Sequence, residues 1–150
     1  MVELKGHVIL IVRDRFGREK GRIERDVITN VGKAQVAGLI NGVVTTPFTY
    51  IAIGTGTTSE SASDTALEAE IARKAATCSR ETTNVSNDTA RLEATFSSAD
   101  GLSGTANVSE SGVFDADTGG NMLCRQTFSA IPIDWDAGDS LQVIWKIVVS

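Results

Sequence analysis

The feature that most constrains this chain is the rhythm of its second half. From Lys74 onward, short segments of alternating apolar and polar residues recur between clusters of turn-forming residues. Alternation at period two turns one face of each segment toward a core, and the short intervals between turns favour strands over helices. The segments fall at 75–85 and 89–97 around Ser86-Asn87-Asp88, with Leu92, Ala94 and Phe96 facing inward. They continue at 105–114, at 122–131 after a turn at 115–120, and at 141–149 after a loop through Pro132 and Ala137-Gly138-Asp139. The last segment is apolar at most positions, the pattern of a strand covered on both faces, which ties the end of the chain into the sheet. With the strands of the first half, seven or eight in all predict a mainly β fold, an antiparallel β-sandwich of jelly-roll-like type.

The first half adds an N-terminal β-hairpin over residues 1–29. Residues 2–13 alternate and then merge into Val8-Ile9-Leu10-Ile11-Val12, Arg15-Phe16-Gly17-Arg18 turns the chain, and 21–29 returns with Ile23, Val27 and Ile28. Asn30 is placed to cap a helix that runs to an Asn41-Gly42 stop. Pro47 opens a strand at 48–53, which Gly54-Thr55-Gly56-Thr57-Thr58 breaks. A second short helix is expected from Asp64 or Thr65 to Arg73, with Thr65 and Glu68 at capping-box spacing. Leu67, Glu70 and Ile71 give it one narrow apolar face, so it must lie on something larger. The reading is one domain over residues 1–150, long enough to bury about two-thirds of its unfolded surface.

Charge narrows the partners. The net charge is −5 and the pI 4.8, which argues against broad nucleic-acid binding. The longest apolar runs, 8–12 and 147–149, fall far short of the roughly 20 residues that cross a bilayer, and no signal peptide is recognised. Synthesis in the cytoplasm is the corresponding expectation, with no membrane partner. Half of the 14 basic residues precede Asp26, whereas after Gly101 only Arg125 and Lys146 are basic. A basic hairpin can dock on an acidic neighbour, or its Lys and Arg can simply discourage edge-to-edge pairing. Arg15, Arg18, Arg22 and Arg25 are the partner-contact candidates, with Trp135 second. Trp135 stands between two aspartates in a loop, as an interface aromatic or as a cap over the end of the sandwich.

Nothing assembles into a reaction centre. His7 is the sole histidine and lies in a strand, so any nucleophile–base pair, such as His7 with Cys124, hangs on one residue. Cys78 and Cys124 have no cysteine neighbour and make no convincing zinc site; two buried thiols are expected over a cross-strand disulfide. Gly54-Thr55-Gly56-Thr57-Thr58-Ser59 invites an anion-binding reading but lacks the lysine ending of a phosphate loop. Asp115 and Asp117 start like a calcium loop, yet its twelfth position is Gln126, so a β-turn fits better; Asp134, Asp136 and Asp139 read as a solvated loop. The expectation is no enzyme, no cofactor and no metal.

Four segments carry a resemblance: Asn30-Val31-Gly32-Lys33-Ala34; Tyr50-Ile51-Ala52-Ile53-Gly54-Thr55-Gly56; residues 64–73; and Val108-Ser109-Glu110-Ser111-Gly112-Val113-Phe114. Together they resemble structural proteins of tailed-phage virions, including head-decoration and tail-tip or collar-fibre components. The last is similar to an E-x-G-L-F strand that precedes a G-x-L-x-A-R-x-x-F strand, which here runs from Gly120 to Phe128 with Cys124 in place of the commoner Ala. The resemblance spans about residues 30–150. It implies a virion location, other virion proteins as partners and a homo-oligomer, with a trimer favoured. The leading expectation is a capsid decoration protein that cements the shell; the alternative is a tail fibre, collar or baseplate component. A carbohydrate-binding sandwich is a remote third, since stacking on sugars asks for more exposed aromatics than one Tyr and two Trp supply.

Overall fold

The computed structural model describes residues 2–25 and 27–150, with the backbone alone described for 19–25 and 27. Among these described residues, ten strands form two five-stranded antiparallel sheets. β1 (Leu4–Arg13), β2 (Glu19–Arg25), β6 (Thr77–Glu81), β7 (Thr89–Phe96) and β10 (Ser140–Val149) make the first, in the order β2-β1-β10-β7-β6. β3 (Val27–Ile28), β4 (Tyr50–Gly54), β5 (Glu70–Ala75), β8 (Thr105–Phe114) and β9 (Met122–Asp134) make the second, in the order β3-β9-β8-β4-β5.

Alternation decides how the sheets meet. Val8 and Leu10 on β1, Leu92, Ala94 and Phe96 on β7, and Leu141, Val143 and Trp145 on β10 face Ile51 and Ile53 on β4 and Val108, Val113, Cys124 and Ile133 on β8 and β9. Every one of these is buried, so the two sheets share one core. The apolar final strand is central, pairing with β1 on one side and β7 on the other. Trp145 spends its indole N–H inside this core on Ser111 Oγ at 3.1 Å, and that hydroxyl donates to the Ala52 carbonyl at 2.8 Å.

An N-terminal hairpin forms from β1 and β2, but its returning strand ends at Arg25 instead of continuing to residue 29: Val27 and Ile28 form β3 and pair with β9 in the other sheet. The first helix, α1 (Asn30–Asn41), forms as expected, ended by Gly42 in the left-handed region at φ 81°. Its cap is Thr29 instead of Asn30: the buried Thr29 hydroxyl oxygen accepts from Gly32 N at 2.8 Å and donates to the Met122 carbonyl. Gly32 is required here by proximity. A Cβ would fall 2.5 Å from the Leu123 carbonyl oxygen, so only glycine lets α1 lie this close on β9.

Three further expectations need correction. Residues 64–73 form no helix: a loop leads directly into β5, which pairs with β4 as the edge of its sheet. The segment 75–85 is not one strand, because the chain leaves the second sheet at Ala75 and enters the first at Thr77. Pro132 lies inside β9, opposite Asn107 on β8. β3 pairs only with Arg125 and Cys124, so further along β9 has β8 as its one partner, and a missing N–H there breaks no ladder.

Candidate functional site

The Gly-x-Gly loop does cradle an anion, and the anion is the protein's own. Glu110, on β8, is fully buried. Its carboxylate accepts from Gly56 N at 2.8 Å, Ala69 N at 2.7 Å and Glu68 N at 2.9 Å. Arg125, on β9, donates from Nε to the same carboxylate at 3.0 Å. The guanidinium then reaches Asp64 with Nη1 at 3.0 Å and the Thr58 carbonyl with Nη2 at 2.9 Å. One buried ion pair therefore holds residues 55–69 against the outer face of the second sheet. A Cβ on Gly54 or Gly56 would stand 2.5 Å from Glu110 Oε2, which is why both positions are glycine.

The strap covers a second apolar cluster. Leu67 packs on Ala52, Phe114 and Met122, with Tyr50 at the margin. Arg73 closes one side, its guanidinium 3.6 Å from the centroid of the Phe114 ring. It donates to the carbonyls of Ala116 and Gly119 at 2.9 and 2.8 Å and pairs with Glu70 at 2.7 Å. At the other side Glu60 accepts from the Thr127 hydroxyl and, at 3.2 Å, from Thr127 N. Desolvation works against the Glu60 charge, but the Thr127 hydrogen bonds outweigh it and hold the carboxyl below its ordinary range. Hydrogen bonds from Thr58 and Thr57 likewise lower Glu68. These carboxylates are occupied as acceptors in the fold, which makes the network a fastening.

The hairpin tip is the contrasting surface. Phe16 is 67% exposed, and the guanidinium carbons of Arg15 and Arg18 stand 4.7 and 5.2 Å from its ring centroid. Arg18 also pairs with Asp14 at 2.6 Å. Desolvation of Asp14 is outweighed by the donors of Arg18 and Phe16, which hold its carboxyl below the ordinary range. Arg22 and Arg25 belong to β2, and their side chains lie outside the described residues. Trp135 is 1% exposed and packs in the shared core, and its backbone N–H donates to the Gly104 carbonyl at 2.9 Å. Buried in this way, the ring leaves almost no surface exposed.

The other candidates separate. Val8 and Leu10 face the core, so strand alternation turns His7 the opposite way, while Cys124 is buried in the other sheet. The structure does not bring them together. Cys78 is exposed on β6, contrary to the expected buried thiol, and no disulfide joins it to Cys124. Asp115 closes the β8–β9 turn by accepting from Asn121 N and Nδ2 at 2.7 and 2.9 Å, and Asp139 accepts from Asp134 N at 2.8 Å. No helix among the described residues is long and apolar enough to cross a membrane. The sequence reasoning missed Glu110 and Arg125 as a pair. Their signal was present, as one acid and one base at matching depth in adjacent strands of mostly small and apolar residues.

The clamped strap, the glycine-tight helix contact and most of the last strand fall within one family pattern. The model of the podophage GP4 fiber I protein gp80 family matches residues 28–146. The chain belongs to that family. No curated protein and no solved structure matches it. The match begins at β3 and takes in α1, the strap, Glu110 and Arg125; β1 and β2 precede it. As a member of a phage fiber family the chain is a tailed-phage virion structural protein, which associates with other virion components. The expectation of capsid decoration gives way: the family fits the fibre alternative better.

Proposed function

We propose that the chain is a non-enzymatic part of the fibre apparatus of a tailed phage, attached to the tail and joined to neighbouring virion proteins through its surfaces. The family match over residues 28–146 carries this reading. The geometry supports it in one respect: Glu110, Arg125, Asp64, Glu60 and Glu68, the most concentrated polar chemistry in the fold, all serve to fasten the strap. What is left for recognition is surface, above all the Arg15–Phe16–Arg18 tip.

Immunogold electron microscopy of virions, with an antibody raised to this domain, tests the placement. Gold at the tail is the expected result. Gold confined to the heads would return the capsid decoration reading and overturn the fibre one. Virions without label, from lysates in which the antibody still detects the protein, would overturn both.

A further inference from the structure

An asparagine followed by glycine is a reactive pair wherever the backbone can bend, because glycine has no Cβ to shield its amide nitrogen. The chain has six asparagines, and Asn41 alone precedes a glycine. Asn41 is the exposed last residue of α1, and Gly42 follows it in the left-handed region at φ 81°. A Cβ placed on Gly42 would meet nothing within 4 Å, so the space around this amide is open. The side chain is also activated. Asn41 Oδ1 accepts from Val43 N at 3.1 Å, which polarises the Cγ carbonyl and stabilises negative charge developing on its oxygen. Other asparagines lack this combination. Asn121 spends Nδ2 on Asp115 at 2.9 Å and precedes the buried Met122, and Asn107 lies within β8 before the buried Val108. Asp100-Gly101 is the acid counterpart. Its carboxylate accepts from Ser97 N at 2.9 Å and pairs with Lys74 at 2.8 Å, and an ionised carboxylate resists a nucleophile.

We propose that Asn41 is a site of spontaneous deamidation in the folded protein and that the product loosens the end of α1. The Gly42 amide nitrogen gives its proton to base and bonds to Asn41 Cγ. The Cγ–Nδ2 bond breaks, and Nδ2 leaves as ammonia with a proton from water. Water then opens the cyclic imide at either carbonyl, which leaves aspartate or isoaspartate. Both products place a carboxylate at the C-terminal end of α1, where the helix dipole is negative and the last turn holds no basic residue. Isoaspartate also reroutes the backbone through the side chain, just where the chain folds back and Val44 N donates to the Gly38 carbonyl at 3.0 Å. This chemistry belongs to the chain itself and is independent of the fibre reading.

Trypsin releases residues 34–73 as one peptide, in which Asn41 is the sole asparagine. The purified full chain, kept folded in mildly alkaline buffer and sampled over time, is expected to yield this peptide with NH exchanged for O. The rate should rise with pH, and fragmentation in the mass spectrometer should place the change at residue 41. Asn41→Gln should lose the conversion, because its longer side chain closes the ring poorly, and should keep the melting temperature at this exposed site. Asn41→Asp, which stands for one product, should melt about 1–3 °C lower than wild type. A peptide that converts in the urea-unfolded chain but stays unchanged in the folded one would overturn the site, since the fold would then protect it. A conversion that persists in Asn41→Gln would equally overturn it. An Asn41→Asp chain that melts with wild type would overturn the loosening of α1.

Discussion

At the scale of single residues, the fold depends on a charge it has hidden. Glu110 is wholly buried and has four donors, three backbone N–H groups and the Arg125 guanidinium. Taking a carboxylate and a guanidinium out of water is costly, and their attraction offsets that cost only while both are present. Glu110→Ala would leave Arg125 facing an empty site and Gly56, Glu68 and Ala69 without their acceptor. The expected loss is about 3–5 kcal/mol in urea unfolding, and Arg125→Met should cost a similar amount. Because each single change already strands its partner, the double variant should lose much less than the two losses added together. Additive losses would mean that the two residues act independently and that the strap is held by Leu67 and Glu60 instead.

At the scale of elements, what was legible in the sequence was whatever is decided locally. β7 follows from alternation, β10 from its apolar run, and α1 from its spacing and the Asn41-Gly42 stop, each pattern lying within the segment it describes. Residues 64–73 carried helix signals of the same local kind, and these lost to partners far away in the chain. Glu110 takes the backbone N–H groups of Glu68 and Ala69, the Ala69 carbonyl accepts from Thr55 N, and β4 accepts the residues that follow as an edge strand. Trp135 was open for the same reason: its loop looks polar, and only the packed core decides where the ring goes. The β6–β7 connection shows local control again, because Asp88 gathers it. Its carboxylate accepts from Thr83 N, Asn84 N and Val85 N at 2.8, 2.8 and 2.9 Å. Backbone donors led by Val85 and Thr83 outweigh desolvation and hold Asp88 far below the ordinary carboxylate range. A folded value below the unfolded one stabilises the fold above the unfolded pKa of about 4 and is lost as the pH falls further. Asp88→Asn should therefore lower the melting temperature at neutral pH, and the gap to wild type should narrow below about pH 4. A gap of constant size across that range would show that the ionised carboxylate contributes nothing.

At the scale of the whole molecule, the question is whether the N-terminal hairpin is an arm or part of the body. The expectation of a docking arm over 1–29, and the family match that begins at residue 28, both suggest a separable piece. The packing argues otherwise for β1. It pairs with β10 along all ten of its residues, and Val8 and Leu10 are fully buried in the shared core. Burying each of these two side chains stabilises the fold by about 1.5–3 kcal/mol, a large share of the roughly 5–15 kcal/mol that holds a domain together. Without β1, the apolar β10 would also become an unprotected edge. A chain starting at residue 28 should therefore fail to unfold cooperatively, showing no sigmoidal melt by circular dichroism and a collapsed amide spectrum by NMR. Only the tip is dispensable. Replacing residues 14–18 by Asn-Gly, a turn suited to a two-residue hairpin, should keep the fold and the melting temperature within a few degrees. A stable, cooperative fragment starting at residue 28 would reverse this view and make the whole hairpin an appendage on a self-sufficient family core.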